Sequence, residues 1–349
     1  MRRTATFLAV VGLATFGSAA PVAADPARPT DYRSTVDAVV PSVDGVEVSV
    51  FGGDAFLELA AAPGHEVTVS GYQNEPYLRF LPDGVVERNR RSPATTLNET
   101  RFGNNEPAAG SDPEANPEWE EVATAGEYAW HDHRIHWMAL DDPAVAPGEV
   151  VLRWTVPLVV DGRSVEVEGT LVREAPVSPW PWAAVALGVA GVLVAFGWRR
   201  RGWAAIGPAA VVVLACSVVA TALGGAEWAV VPDGTGPSPL VVALPVAGTA
   251  AATVSVVNVL RRRRVEVAAL AAAVAVAMVG GWALARLAVL WKPVLPTPLP
   301  EDLERAGVAI VLGGVASVAV ALVRSGTLRS PGAVTRRPAG GGAAGQAAG

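Results

Sequence analysis

Two patterns of hydrophobic and polar positions divide the chain near Pro176. Before it, apolar and polar residues alternate in short runs: Val46-Glu47-Val48-Ser49-Val50, His65-Glu66-Val67-Thr68-Val69, Val150 to Val156, and Val165 to Leu171. Alternation with period two puts one set of side chains in a core and the other in water, the mark of a half-buried strand. Turn signals separate the runs at Gly52-Gly53-Asp54, Pro63-Gly64, Pro82-Asp83-Gly84, Pro147-Gly148 and Asp161-Gly162. This spacing predicts an all-β, Ig-like sandwich over residues 25–177, with Asp161-Gly162 as its clearest hairpin turn. Between about Asn98 and Asn116 the chain is rich in Asn, Gly, Pro and Ala, which predicts a long loop.

After Pro176 alternation gives way to five apolar stretches, at about 181–198, 203–223, 239–260, 265–290 and 306–323. Each is near the length needed to cross a bilayer, so residues 178–325 are predicted to form an α-helical transmembrane region of five helices. Arg199-Arg200-Arg201, Arg261 to Arg264, and Arg324 with Arg329, Arg336 and Arg337 follow the first, third and fifth stretches. The positive-inside rule places all three clusters in the cytoplasm only if residues 25–177 lie outside. Six tryptophans (Trp180, Trp182, Trp198, Trp203, Trp228 and Trp291) fall near the predicted interfaces, as an aromatic belt would. The Gly/Ala-rich tail, residues 326–349, is predicted to be disordered and cytoplasmic. Arg2-Arg3, the apolar run Phe7 to Phe16 and Val22-Ala23-Ala24 read as a signal peptide over residues 1–24, cleaved before Asp25. Twin-arginine export fits less well, because Thr4-Ala5-Thr6 departs from that pattern.

Composition sharpens this division. The chain has 349 residues, 51% of them apolar, and a mean hydropathy of +0.35, too hydrophobic for an ordinary soluble domain. Residues 25–177 carry 27 Asp/Glu against 11 Arg, a net charge of −16, and the remainder is net +10. With no basic stripe outside the short loops, nucleic acid is excluded as a partner. Cys216 is the only cysteine, so there is no disulfide framework. Nucleophile elbows, phosphate-binding glycine loops and His-Glu-x-x-His are all absent, and the chain reads as a non-enzyme. Its address is the plasma membrane, as a multi-pass protein whose first partner is the lipid bilayer. The spans hold few ionisable residues. Arg286 reads as snorkelling to the outer interface and Glu266 as interfacial, so the bundle reads as an anchor or partner platform rather than a transporter.

One segment concentrates chemistry: Tyr128-Ala129-Trp130-His131-Asp132-His133-Arg134-Ile135-His136-Trp137-Met138. It holds three of the four histidines and the only methionine of residues 25–177. On a strand, His131 and His133 would share one face and His136 and Met138 the other. A turn near Arg134 or Ile135 would instead gather all four. Imidazole and thioether suit copper, the thioether favouring Cu(I), and the absence of thiolates disfavours structural zinc. His131, His133, His136 and Met138 are therefore the candidate copper ligands. A structural reading stands beside this one: Trp130, Ile135 and Trp137 as core residues, the histidines bonded to backbone or carboxylates, and Tyr128 and Arg134 in the same network. His65, at a Pro-Gly turn, reads as a surface residue. Arg88, Arg90 and Arg91 read as partners of the Glu118/Glu120/Glu121 run or as a contact for an anionic partner. Asn98-Glu99-Thr100 matches a glycosylation sequon.

With its signal, secreted β domain, Trp-His-Asp-His-Arg-Ile-His-Trp-Met segment and Ala/Val-rich multi-pass region, the chain resembles a group of actinobacterial multi-pass membrane proteins. It is more loosely similar to secreted copper-handling domains of bacteria. Those place a His ligand at the mature N-terminus, where this chain has Asp25. The resemblance implies a membrane-anchored extracytoplasmic protein that binds copper for metal handling at the cell envelope. The other expectation is a non-enzymatic envelope scaffold whose β domain recognises a protein partner.

Overall fold

The computed structural model describes residues 26–103, 106, 108–139, 141–231, 235 and 238–327. The predicted signal peptide and the tail beyond Thr327 lie outside the described residues. The chain divides into two compact units. One comprises the residues up to Val177 with Ala226–Ser238 and Trp291–Glu301. The other comprises Ser178–Gly225, Pro239–Leu290 and the residues from Asp302 onward.

The first unit is built from strands β1 (Tyr32–Val40), β2 (Val46–Phe51), β3 (Phe56–Ala61), β4 (Val67–Ser70), β5 (Pro76–Phe80) and β6 (Val86–Asn89). The short helix α1 (Pro93–Leu97) follows, then β7 (Trp119–Ala123), β8 (Glu127–Trp130), β9 (Val150–Val160) and β10 (Arg163–Arg173). They form two antiparallel sheets, a seven-stranded one in the order β1-β10-β9-β4-β5-β6-β7 and a three-stranded one in the order β2-β3-β8. The alternation seen in the sequence is the burial pattern of β9, which buries Trp154, Val156, Leu158 and Val160 and exposes Arg153, Thr155 and Val159. One core draws on both sheets, with Val46, Leu57, Leu59, Tyr128 and Trp130 from the smaller and Val67, Leu78, Phe80 and Val156 from the larger.

The β9–β10 hairpin turns at Asp161-Gly162, with Val160 opposite Arg163. Both turn residues have positive φ, 50° and 77°, as a type I′ turn demands. Gly169 of β10 has another reason to be glycine: a Cβ there would overlap the indole of Trp154 and the carbonyl of Thr35. That indole donates to Ser34 Oγ at 2.8 Å. The run of arginines pairs within the unit, Arg90 with Glu118 at 3.2 Å and Arg88 with Glu120 at 3.6 Å, across β6 and β7. The segment Trp291–Glu301 is joined to the same unit through an isolated antiparallel bridge between Thr30 and Val294.

Among the described residues five helices, lying mostly in the second unit, are long and apolar enough to cross a membrane: α2 (Trp180–Gly197), α3 (Trp203–Trp228), α4 (Leu240–Leu260), α5 (Val265–Ala285) and α6 (Glu301–Ser325). Small residues form the interior of this unit. Ala252 of α4 and Ala268, Ala269, Ala272 and Ala275 of α5 are fully buried, which lets helix backbones approach closely. Three boundaries differ from the sequence expectation, and one is the end of α3, which runs to Trp228 rather than residue 223. Helix α6 starts at Glu301 rather than near residue 306, its acidic first turn facing the positive end of the helix dipole. Helix α5 stops at Ala285, capped by Arg286, and Leu287–Leu290 form a 3₁₀ turn. Arg286, expected to snorkel to the outer interface, is instead an ion-pair partner of the fully buried Glu304 of α6.

Candidate functional site

Strand β8 ends at Trp130, and the segment that follows is not a strand. Asp132 caps a turn, its carbonyl accepting from the Ile135 N–H at 3.1 Å and its carboxylate accepting from Trp130 Nε1 at 2.9 Å and from the Arg134 N–H at 3.1 Å. The Arg134 guanidinium closes this loop by bonding the same carboxylate (Nε to Oδ1, 2.8 Å) and the Ser70 carbonyl at the end of β4. It also lies 5.2 Å from the Tyr72 ring centroid. Asp132 is fully buried; burial opposes its ionisation, but the Arg134 charge and the bonds from Arg134 and Trp130 prevail and hold its carboxyl below the ordinary value. Ile135 is fully buried in the core and Trp137 packs against it. The turn thus ties the small sheet to the large one where the chain passes between them.

The turn sends the histidines to different places. His131 is buried, stacked on Phe56 at 4.2 Å between ring centroids, and its Nδ1–H donates to the Ala55 carbonyl at 2.6 Å. His133 donates from Nε2 to the Thr100 carbonyl at 3.0 Å and stacks on Tyr72. His136 donates from Nε2 to the Arg101 carbonyl at 2.6 Å. The rings of His133 and His136 are 5.5 Å apart. Together with Met138, which is 37% exposed, they line an open depression of about 480 Å³ walled by Trp137, Leu152 and Trp154. Of the four sequence candidates, the structure brings His133, His136 and Met138 together and places His131 against Phe56. Among the described residues, no three His, Cys, Asp or Glu side chains form a group positioned for a metal ion.

Each carbonyl partner fixes a tautomer. A ring nitrogen facing a carbonyl must carry the proton, so the other nitrogen keeps its lone pair. In His133 and His136 that nitrogen is Nδ1. The Nδ1 of His136 is buried and without a hydrogen-bond partner. Burial, reinforced by the Arg101 charge and by His133, pushes the His136 pKa down to about 3. Burial also lowers that of His133. Both rings are neutral at physiological pH, the form in which imidazole binds metal.

The sequence reading missed the other half of the site. Thr100, Arg101 and Gly103 belong to the predicted long loop, yet they form the wall against which the histidines are set. Gly103 has φ 60°, and a Cβ on it would press on the His133 ring. Arg101 is anchored by the fully buried Asp54 at 2.5 Å; burial pushes the Asp54 carboxyl above its ordinary value while Arg101 pulls it down. Tyr72 accepts from the His133 N–H at 2.9 Å and donates to Asn98 Oδ1 at 2.5 Å. Asn98 is therefore committed inside the fold and only 6% exposed, which closes the sequon. Nothing in the local sequence announced these pairings, because they join residues 26 to 61 positions apart. His65 contacts Asp161 at 2.8 Å at the β9–β10 turn, remote in the chain from the cluster. No protein-family model, curated protein or solved structure matches the chain.

Proposed function

We propose that the β unit is an Ig-like extracytoplasmic domain, held at the plasma membrane by five spans, that binds copper as Cu(I) through His133, His136 and Met138 for metal handling at the envelope. One observation carries this reading. The Nδ1 of His136 is buried without a hydrogen-bond partner, and His133, His136 and Met138 line the same depression. Backbone carbonyls behind ligating imidazoles orient the ring and raise its basicity. The acidic surroundings attract cations, and a thioether selects Cu(I). In this reading His131, a candidate ligand by sequence, packs the turn in place instead.

A second reading has its own support. All three imidazoles donate to backbone carbonyls, as a purely structural bracket would, and no group of three metal-binding side chains stands among the described residues. On that reading the β unit is a non-enzymatic scaffold that recognises a protein partner. Competitive Cu(I) titration of the purified full chain in detergent, under reducing conditions, separates the two. Cu(I) should bind with one-to-one stoichiometry. Met138→Leu, which conserves volume, should weaken it without changing the thermal midpoint, and His131→Asn should weaken it less than His133→Ala. Absence of stoichiometric binding, or equal affinity in wild type and Met138→Leu, leaves the scaffold.

A further inference from the structure

Helix α2 has no buried residue, and Arg199, Arg200 and Arg201 follow its C-terminal cap Trp198. A cleft there is lined by Leu193, Gly197, Trp198, Arg200, Ala321 and Arg324. Arg324, in the last turn of α6, lies 3.6 Å from the Trp198 ring centroid and donates from Nη2 to the Trp198 carbonyl at 3.1 Å. Arg200 lies 4.3 Å from the Phe196 ring centroid, and Arg201 donates to the Arg324 carbonyl. Among the described residues no carboxylate pairs with Arg199, Arg200, Arg201 or Arg324.

We propose that the arginines at the rim of this narrow cleft hold an anionic phospholipid of the bilayer, its phosphodiester on Arg200 and Arg324 and one acyl chain along the exposed face of α2. A guanidinium offers five N–H donors. The carbonyl bond uses only part of the Arg324 fork, and Arg200 stacks without spending its donors. Each guanidinium lies against an aromatic ring, and a contact of this kind restricts the side chain before a phosphate is clamped. Helix-end carbonyls complement an arginine in part, but they carry only a fractional charge against several full ones. Basic clefts between spans, with an apolar floor, have the chemistry of an anionic headgroup site.

The test is titration of the full chain in mild detergent with phosphatidylglycerol or phosphatidylcholine of matched chains, bound lipid being counted by native mass spectrometry. Phosphatidylglycerol should bind preferentially. Each arginine near an anionic headgroup contributes roughly fivefold, so Arg200→Gln with Arg324→Gln should lose about 30-fold in affinity. The paired control, Arg262→Gln with Arg263→Gln, should lose little. Equal binding of the two lipids, or equal loss in both double variants, overturns the cleft in favour of diffuse surface charge. Displacement of the lipid by millimolar inorganic phosphate overturns the lipid as ligand. Should the double variant unfold, Arg200→Gln alone decides, with a loss of about fivefold expected and no loss refuting the proposal.

Discussion

At the scale of single residues, His136 links the site to stability. Its pKa of about 3 in the fold means that only the neutral ring is accommodated, whereas an unfolded chain takes up the proton near pH 6.5. The unfolded state therefore binds more protons throughout the interval between these values, and folding stability falls as the pH drops through it. The contribution is complete above about pH 6.5 and declines by about 1.4 kcal/mol per pH unit below it. His133, lowered for the same reason, acts in the same direction. Asp132 adds to the loss as the pH falls from the ordinary carboxylate value towards its depressed one. Thermal unfolding of the chelator-treated full chain between pH 7 and 4.5 should show a falling midpoint, and His136→Asn should flatten the slope. A midpoint independent of pH over that range would show that the ring is charged inside the fold.

At the scale of elements, two glycines of the β9–β10 hairpin separate backbone demand from packing demand. Gly162 sits at φ 77° with open space where a Cβ would go. Gly162→Ala should therefore cost only the left-handed strain of an L-residue, about 1–2 kcal/mol. Gly169 has an ordinary φ but faces the Trp154 indole and the Thr35 carbonyl. Gly169→Ala should cost more, at or above the ~3 kcal/mol that marks severe overpacking, because Trp154 is held by Ser34 and cannot yield. Adding Trp154→Phe should recover part of that loss. Thermal midpoints of the three variants decide: equal losses for the two glycine variants would contradict the assignment of roles.

At the scale of the whole molecule, the prediction concerns topology. Five spans are an odd number, and the basic clusters follow the first, third and fifth. The β unit and the tail should therefore face opposite sides, with the β unit outside. Fusions of a reporter active only after export should be silent at residues 202 and 262 and at the tail, and active at 232 and 298. Export activity at the tail would contradict the odd count. The exposed tryptophans at the helix ends, Trp180, Trp198, Trp203 and Trp228, suit interfacial placement.

The five apolar helices and the hairpin at Asp161-Gly162 were legible in the sequence because they rest on local physics. Apolar run length, period-two alternation and the positive φ of a two-residue turn are properties of neighbours along the chain. Strands β1, β3, β7 and β8 were not read, since their burial depends on which sheet face each one meets. In the His/Met segment, residue types alone suggested a soft-ligand cluster. Only the tertiary structure decided that Asp132 and Arg134 would turn the chain, dividing His131 from His133 and His136. Likewise Asp54, Tyr72, Thr100 and Arg101 became part of the site through bonds spanning 26 to 61 residues, and Glu304 found Arg286 across two helices. Sequence periodicity carries the direction of a side chain relative to its own element. The partner that satisfies a buried donor or charge is chosen by packing between elements, which no local pattern encodes.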